Sequence, residues 1–190
     1  MCKEYYNKYA KEFIESTINA DMSEQYHFFE KYLPDTGKIL DIGFGSGRDS
    51  LYFSKKYEVV SIDNSEAFVE QAKNILSNKV LLLDVRDMPY EEEFDGIWAC
   101  ASLLHLSYAE LPEVLNKCYN ALKPNGIMYM SFKYGDFAGE RNGRYFTDLN
   151  EDRLHEVLSY TKFELLEFKI TNDVRPDRDD KWLNVIIRKS

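Results

Sequence analysis

Cysteine is scarce: the 190 residues hold three, Cys2, Cys100 and Cys118, an odd number with no short-range pair. That excludes a disulfide scaffold or a Cys-rich zinc site and points to reduced thiols. Histidine is equally sparse at three, too few to build a Cys/His metal centre. The five prolines and nine glycines are spread thinly. With no Pro/Gly-rich linker there is no internal boundary, and residues 1–190 are expected to form one domain. No run approaches the ~20 apolar residues of a membrane span. The opening "MCKEYYNKYAKEF" lacks the apolar segment of a secretion signal, so the expectation is a cytoplasmic chain with no membrane partner. Positive charge is also short, 24 Lys and Arg against 33 Asp and Glu, for a net charge of −9. Such a chain repels a phosphate backbone, which argues against nucleic acid and for a small-molecule or protein substrate.

What the chain does have is periodicity. Hydrophobic residues make up 44%, enough for a packed core. Lys3 to about Asn19 and the stretch from Ser23 to just before Pro34 read as helices. From there short apolar runs alternate with helical patterns: "KILDI", "EVVSID", "KVLLLD", "FDGIWA" and "IMYMSF", with helices near 48–56, 65–76 and 107–122. Strands joined by helical crossovers form a parallel sheet covered on both faces. A polar loop from Lys133 to Asn150, a helix over 151–159 and two strands around "TNDVRPDRDD" follow. The expected fold class is α/β: a doubly wound, mostly parallel, seven-stranded sheet with a C-terminal antiparallel hairpin. Residues 1–35 would form a helical cap, 36–133 the ligand-binding core, and 134–190 the substrate-side loop, helix and hairpin.

The sharpest local signal is "LDIGFGSG", where Gly43, Gly45 and Gly47 follow the first strand. In such sheets the loop after the first strand meets a nucleotide-like ligand, and glycines let the backbone turn with positive φ and approach closely. The spacing fails both the dinucleotide pattern G-x-G-x-x-G, because Arg48 stands at its last position, and the phosphate loop, because Gly47-Arg48-Asp49 replaces Gly-Lys-Ser/Thr. Asp63 ends the second strand about 20 residues beyond Asp41, the offset at which a carboxylate meets ribose hydroxyls. Asp84 ends the third strand a similar distance further on. A row of acids suits a ligand bearing hydroxyls, an amine and positive charge better than a pyrophosphate.

"LDIGFGSG", "VVSIDNS", "LLLDVRDMPY", "FDGIWACASLLHL" and "LNKCYNALKPNGIMYMSF" together resemble, in order and spacing, the class I S-adenosylmethionine-dependent methyltransferases. The resemblance covers residues 36–133, and the terminal parts are similar to small bacterial methyltransferases near the tellurite-resistance-like proteins. It implies S-adenosylmethionine as cofactor and S-adenosylhomocysteine as product. It further implies that Gly43, Phe44, Gly45 and Gly47 line the methionine moiety, that Asp41 holds its amino group directly or through water, that Asp63 and Asn64 meet the ribose, that Asp84 and Val85 meet the adenine, and that Ala101 borders the cofactor. Phe44 departs from relatives, many of which carry Cys or Ala there.

Methyl transfer needs alignment more than a base. His105, past the fourth strand, is the histidine placed to take a substrate proton; the alternative is that it only packs or hydrogen-bonds. Arg141 and Arg144, with Arg175 and Arg178 before Trp182, form two pairs in polar loops. They read either as an anion clamp on the substrate or as surface pairs with neighbouring acids. Tyr134 and Asp136 are rim groups, Tyr6 belongs to an aromatic face of the first helix that either closes over the site or packs, and Arg48 points into the cleft or pairs with Asp49. The expected activity is methyl transfer to a small, anionic molecule by a monomer or homodimer. A non-catalytic cofactor-binding domain stays open as an alternative, as does a nucleic-acid or protein methyltransferase.

Overall fold

The structure, a computed structural model, describes residues 2–175 and 178–190. The apolar runs form strands β1 (Lys38–Ile42), β2 (Glu58–Asp63), β3 (Lys79–Leu82), β4 (Phe94–Ala99) and β5 (Leu122–Lys133), all paired in parallel. Helices α3 (Arg48–Phe53), α4 (Glu66–Ala72) and α5 (Leu111–Ala121) make the crossovers. Local chemistry sets their starts. Ser65 caps α4 by accepting the Phe68 N–H, and Pro112 occupies the first turn of α5, where a missing N–H costs nothing.

Two helices precede this core, α1 (Cys2–Thr17) and α2 (Ser23–Glu30), and α6 (Glu151–Ser159) leads into strands β8 (Phe163–Asn172) and β9 (Lys181–Lys189). The seven-stranded sheet runs β3-β2-β1-β4-β5-β9-β8, with β9 antiparallel to both neighbours. The doubly wound, mostly parallel sheet with its terminal antiparallel pair is therefore as the alternation of periods implied. Within the β8–β9 connection, Pro176 and Asp177 lie outside the described residues.

One element departs from expectation. The segment read as a polar loop contains a hairpin, β6 (Ala138–Arg141) and β7 (Arg144–Thr147). Its turn is Asn142-Gly143 with φ of 52° and 74°, the two positive values that an Asn-Gly type I′ turn supplies at low cost.

Helices α2 and α3 cover one face of the sheet around Phe29, Phe53, Trp98 and Tyr129, the last two stacked at 3.9 Å. The larger core, with α5 and α6, covers the other. A third apolar cluster joins α1 to α4 and takes in Phe44 of the glycine loop. Among the described residues no helix is long and apolar enough to cross a membrane.

Candidate functional site

The strand order reverses between β1 and β4, which opens a crevice at the carboxyl ends of the strands. A cavity of about 890 Å³ occupies it, floored by the glycine loop and roofed by α1 and the β6–β7 hairpin. Gly43 and Gly45 line it with φ of 71° and 52°. A Cβ on Gly43 would stand 2.6 Å from the Ser102 Cβ, and one on Gly45 would stand 3.0 Å from the Phe13 ring. The loop is thus pressed between the β4 end and α1, and a ligand lies against bare backbone.

Asp63 and Asp84 stand at the ends of β2 and β3 on the cavity wall, with Asn64 and Val85 between them. Asp63 accepts the Gly45 N–H at 3.1 Å and the Ser65 N–H at 2.9 Å, which leaves carboxylate lone pairs for hydroxyl donors. Burial pushes its carboxyl up to about 6. Asp84 is the more acidic. Hydrogen bonds from the Arg86 guanidinium, at 2.9 and 2.7 Å, hold it down at about 2.

Ala101, also on the wall, has φ of 50°, a left-handed conformation uncommon for a residue with a side chain. The Ser131 hydroxyl accepts its N–H at 2.9 Å and fixes it.

His105 sits in a short 3-10 turn, Leu103–His105, and meets Tyr6 of α1 across the cavity. Its Nδ1 lies 2.7 Å from the Tyr145 carbonyl. A carbonyl only accepts, so the ring proton is on Nδ1 and Nε2 carries the lone pair. The Tyr6 hydroxyl donates to that Nε2 at 2.8 Å and itself accepts the Arg144 Nη1–H at 3.2 Å. Burial, helped by the Arg144 charge, lowers the His105 pKa to about 4. The imidazole is neutral at pH 7, with its acceptor nitrogen presented through a phenol.

The far end of the cavity gathers Lys133, Arg141, Arg144, Arg175, Arg178 and Trp182. Most are engaged. Arg141 forks onto Asp148 at 3.1 and 2.7 Å and stacks on Phe137, Arg175 grips Asp173, and Lys133 pairs with Asp180 at 2.6 Å. Trp182 donates its indole N–H to the same Asp173 at 3.0 Å. Arg178 is exposed and its side chain has no partner among the described residues.

Four expected residues are not on the wall, the rim group Asp136 among them. Asp41 is buried beneath it, with its carboxylate accepting the Ser50 hydroxyl at 2.6 Å. Gly47 faces the segment that follows α4, where a Cβ would meet Ile75 and Leu76 at ordinary contact distance. Tyr134 turns outward to Glu151 at 2.9 Å. Phe44 is on the wall, but its side chain is buried in the α1–α4 cluster.

Gln25, Ser102 and Lys133 are among the wall residues not singled out from the sequence. Gln25 had a signal, since it takes the first place of a Gln25, Phe28, Phe29, Tyr32 stripe at helical spacing that is otherwise aromatic. The Gln25 Oε1, Ser102 Oγ and Arg144 Nε atoms are buried without partners. Unsatisfied groups converging on one cavity mark a place where a ligand completes the hydrogen bonding.

Comparison with known proteins agrees with this geometry. Residues 39–126 match the family described as methyltransferase domain. The chain is 27% identical over 159 residues to the phosphoethanolamine N-methyltransferase of Plasmodium falciparum, covering 79% of this chain and 59% of that one. It is 29% identical over 192 residues to an uncharacterized methyltransferase of Staphylococcus carnosus, covering 90% and 88%. It spans about three fifths of the length of the first curated relatives it matches. Its fold superposes with a TM-score of 0.80, at 20% identity and over 98% of this chain and 84% of the other, on the Burkholderia thailandensis 1,6-didemethyltoxoflavin N1-methyltransferase, whose crystal structure holds 1,6-didemethyltoxoflavin and S-adenosylhomocysteine. Motif, sheet order and sequence kinship converge on the class I S-adenosylmethionine-dependent methyltransferases, with the match to the methyltransferase domain at residues 39–126.

Proposed function

We propose that the chain transfers a methyl group from S-adenosylmethionine to a small acceptor that carries negative charge. The observation that carries this reading is the gathering of Lys133, Arg141, Arg144, Arg175 and Arg178 on the wall of the cavity that also holds the strand-end carboxylates Asp63 and Asp84. The residues fit the cofactor: a backbone cradle that a Cβ would fill, a carboxylate with open lone pairs for ribose hydroxyls, and orphaned polar atoms around the remaining wall.

When bound, S-adenosylmethionine supplies an electrophilic methyl on a sulfonium. The chain's part is to orient, desolvate and take a proton. Asp63 accepts from the ribose, and the glycine loop lets the ligand lie against backbone. At the acceptor end the guanidinium and ammonium groups select an anion, and those already paired with Asp148, Asp173 and Asp180 are held in place by those partners. Where the acceptor loses a proton, Tyr6 takes it as its own passes to His105 Nε2, and the Tyr145 carbonyl steadies the imidazolium through Nδ1. A base as weak as His105 passes the proton on to solvent rather than storing it. The names of the Plasmodium and Burkholderia proteins give small molecules as their substrates, which supports the same class here.

The test is thermal unfolding with S-adenosylmethionine, S-adenosylhomocysteine and NAD in parallel, followed by S-adenosylhomocysteine release with small acidic acceptors. Saturation at ~100 times the dissociation constant adds about 2.7 kcal/mol. Stabilisation by the adenosyl compounds alone, with turnover on an anion, is expected. Stabilisation by NAD alone overturns the reading, and adenosyl binding with no turnover on any acceptor leaves a non-catalytic binding domain.

A further inference from the structure

Most cations on the cavity wall are answered by a carboxylate. Lys3, Arg48, Arg86, Lys133, Arg141 and Arg175 each meet an acid within 3.0 Å. Among the described residues, Arg144 and Arg178 meet none. Arg178 is exposed on the β8–β9 connection, whereas Arg144 is half-buried on β7. A charge withdrawn from water without a counter-charge is costly, and an anion that enters the cavity relieves that cost.

The Arg144 guanidinium is fixed by aromatic faces. Its Cζ lies 4.5 Å from the ring centre of Tyr5, 5.1 Å from that of Phe146 and 5.7 Å from that of Tyr6. Nη1–H donates to the Tyr6 hydroxyl at 3.2 Å, and the buried Nε–H has no acceptor. A guanidinium has five N–H donors, so enough remain for the two-pronged grip on a carboxylate, phosphate or sulfonate.

Behind this cation stands the proton acceptor. The Tyr6 oxygen bridges Arg144 Nη1, at 3.2 Å, to His105 Nε2, at 2.8 Å, so guanidinium and imidazole nitrogens are about 6 Å apart at most. The other groups around His105 bring no unanswered charge. Tyr145 offers its carbonyl, α1 offers the Tyr6 phenol, and Phe146 packs its ring at 4.9 Å. Lys133 and Arg141 approach that ring at 5.8 and 5.9 Å, each with its own carboxylate. Arg144 is thus the uncompensated charge that opposes an imidazolium at His105.

Resting on the acceptor reading above, we propose that Arg144 couples recognition of the acceptor's negative charge to removal of its proton. The anionic group docks on Arg144 and cancels the charge beside His105, which readies the Tyr6–His105 pair. The acceptor's proton then passes to the Tyr6 oxygen as the Tyr6 proton passes to His105 Nε2. What remains is an imidazolium facing the Tyr145 carbonyl and a neutral pair of anion and guanidinium. A neutral acceptor leaves the Arg144 charge in place, so it is rejected in rate as well as in binding. The substrate class is a molecule that carries both a nucleophile and an anionic group.

NMR of the His105 ring nitrogens, titrated downward from pH 7, tests this without turnover. The probes are benzenesulfonate, ionised throughout that range, and its neutral isostere benzenesulfonamide, each with and without S-adenosylhomocysteine. Saturating benzenesulfonate should raise the His105 midpoint by about one pH unit, and benzenesulfonamide should move it by less than ~0.3 unit. In Arg144→Gln the midpoint should start about one unit higher and no longer respond, with benzenesulfonate bound about 10-fold more weakly. Arg144→Lys keeps the charge and should restore the low midpoint, and it decides the matter with the wild-type probes if Arg144→Gln fails to fold. A response that persists in Arg144→Gln, or a wild-type His105 that benzenesulfonate does not move, overturns the coupling. If that wild-type chain still binds S-adenosylhomocysteine, the methyl-transfer reading stands. Coupling in a chain that binds no S-adenosylhomocysteine overturns that reading instead.

Discussion

Replacing Asp41 by asparagine separates a carboxyl that shapes the glycine loop from one that holds a ligand. Asp41 is 1% exposed, and its carboxyl joins a buried chain in which Ser50 bridges to Ser61 at 2.6 Å and Asn78 donates to Ser61 at 2.7 Å. Burial, and then the nearby charge of Asp49, push this carboxyl up to about 8 from 3.8. Between those values the unfolded chain is ionised at this position and the folded chain is not. Raising the pH through the window therefore favours unfolding, by about 1.4 kcal/mol per pH unit. The stabilisation is complete at the acid end and lost as pH rises towards 8. Asparagine has no proton to lose, so the stability of Asp41→Asn relative to wild type should improve by about 3 kcal/mol from pH 5 to pH 7. Urea unfolding of both proteins across that range measures it, and Asp63 titrates in both and cancels. Parallel pH curves would refute the buried, protonated carboxyl. Because Asp41 lies off the cavity wall, the variant should also bind S-adenosylhomocysteine within ~3-fold of wild type, and a loss above ~10-fold would restore the contact, direct or through water, that the resemblance implies.

Tyr6→Phe removes the hydroxyl between Arg144 and His105; steady-state rates should fall about 100-fold with S-adenosylhomocysteine affinity unchanged, and equal loss of both would refute the proton role. S-adenosylhomocysteine affinity should decline as pH falls through about 6, where Asp63 takes up its proton, and Asp63→Asn should bind weakly with a flat profile in the same titration. Gly43→Ala must hold φ at 71° with a Cβ 2.6 Å from that of Ser102; denaturant unfolding should show a loss of about 2–4 kcal/mol, and a variant as stable as wild type would mean that the loop simply shifts.

Strand and helix order was legible because period is a property of neighbours. The β6–β7 hairpin was missed although Asn142-Gly143 announces it, because two short strands of mixed polarity do not alternate cleanly around the turn. The acids at the strand ends were legible as a row, but not how far each one stands along its strand. Register pairs Asp41 with Ser61 and Trp98, and that face is covered by α2 and α3. Asp63, the last residue of β2, and Asp84, beyond the end of β3, reach the crevice instead. Asp63 shares the face of Ser61 and Asp41 but stands two residues further on, so it is distance along the strand that decides between core and ligand. The arginine pairs were ambiguous for a related reason: Arg141 found Asp148 and Arg175 found Asp173, and the sequence does not say which acid each one meets.

Least legible was the reach of α1. Tyr6 meets residues 99 and 138 positions away, and no local pattern fixes such a meeting. Its cause nevertheless stood in the sequence as an anomaly. Phe44, the bulky residue inside the glycine loop, packs in the cluster that holds Ala10, Tyr6 and Phe13 of α1 against Phe68, Val69 and Ala72 of α4. The same cluster sets the Phe13 ring against Gly45 and brings the Tyr6 hydroxyl to His105. A loop with a small residue at position 44 would leave α1 without that anchor. The departure from the family pattern and the closure of the cavity by the first helix are therefore one feature, in which the loop that receives the ligand also seats the residue facing the reaction.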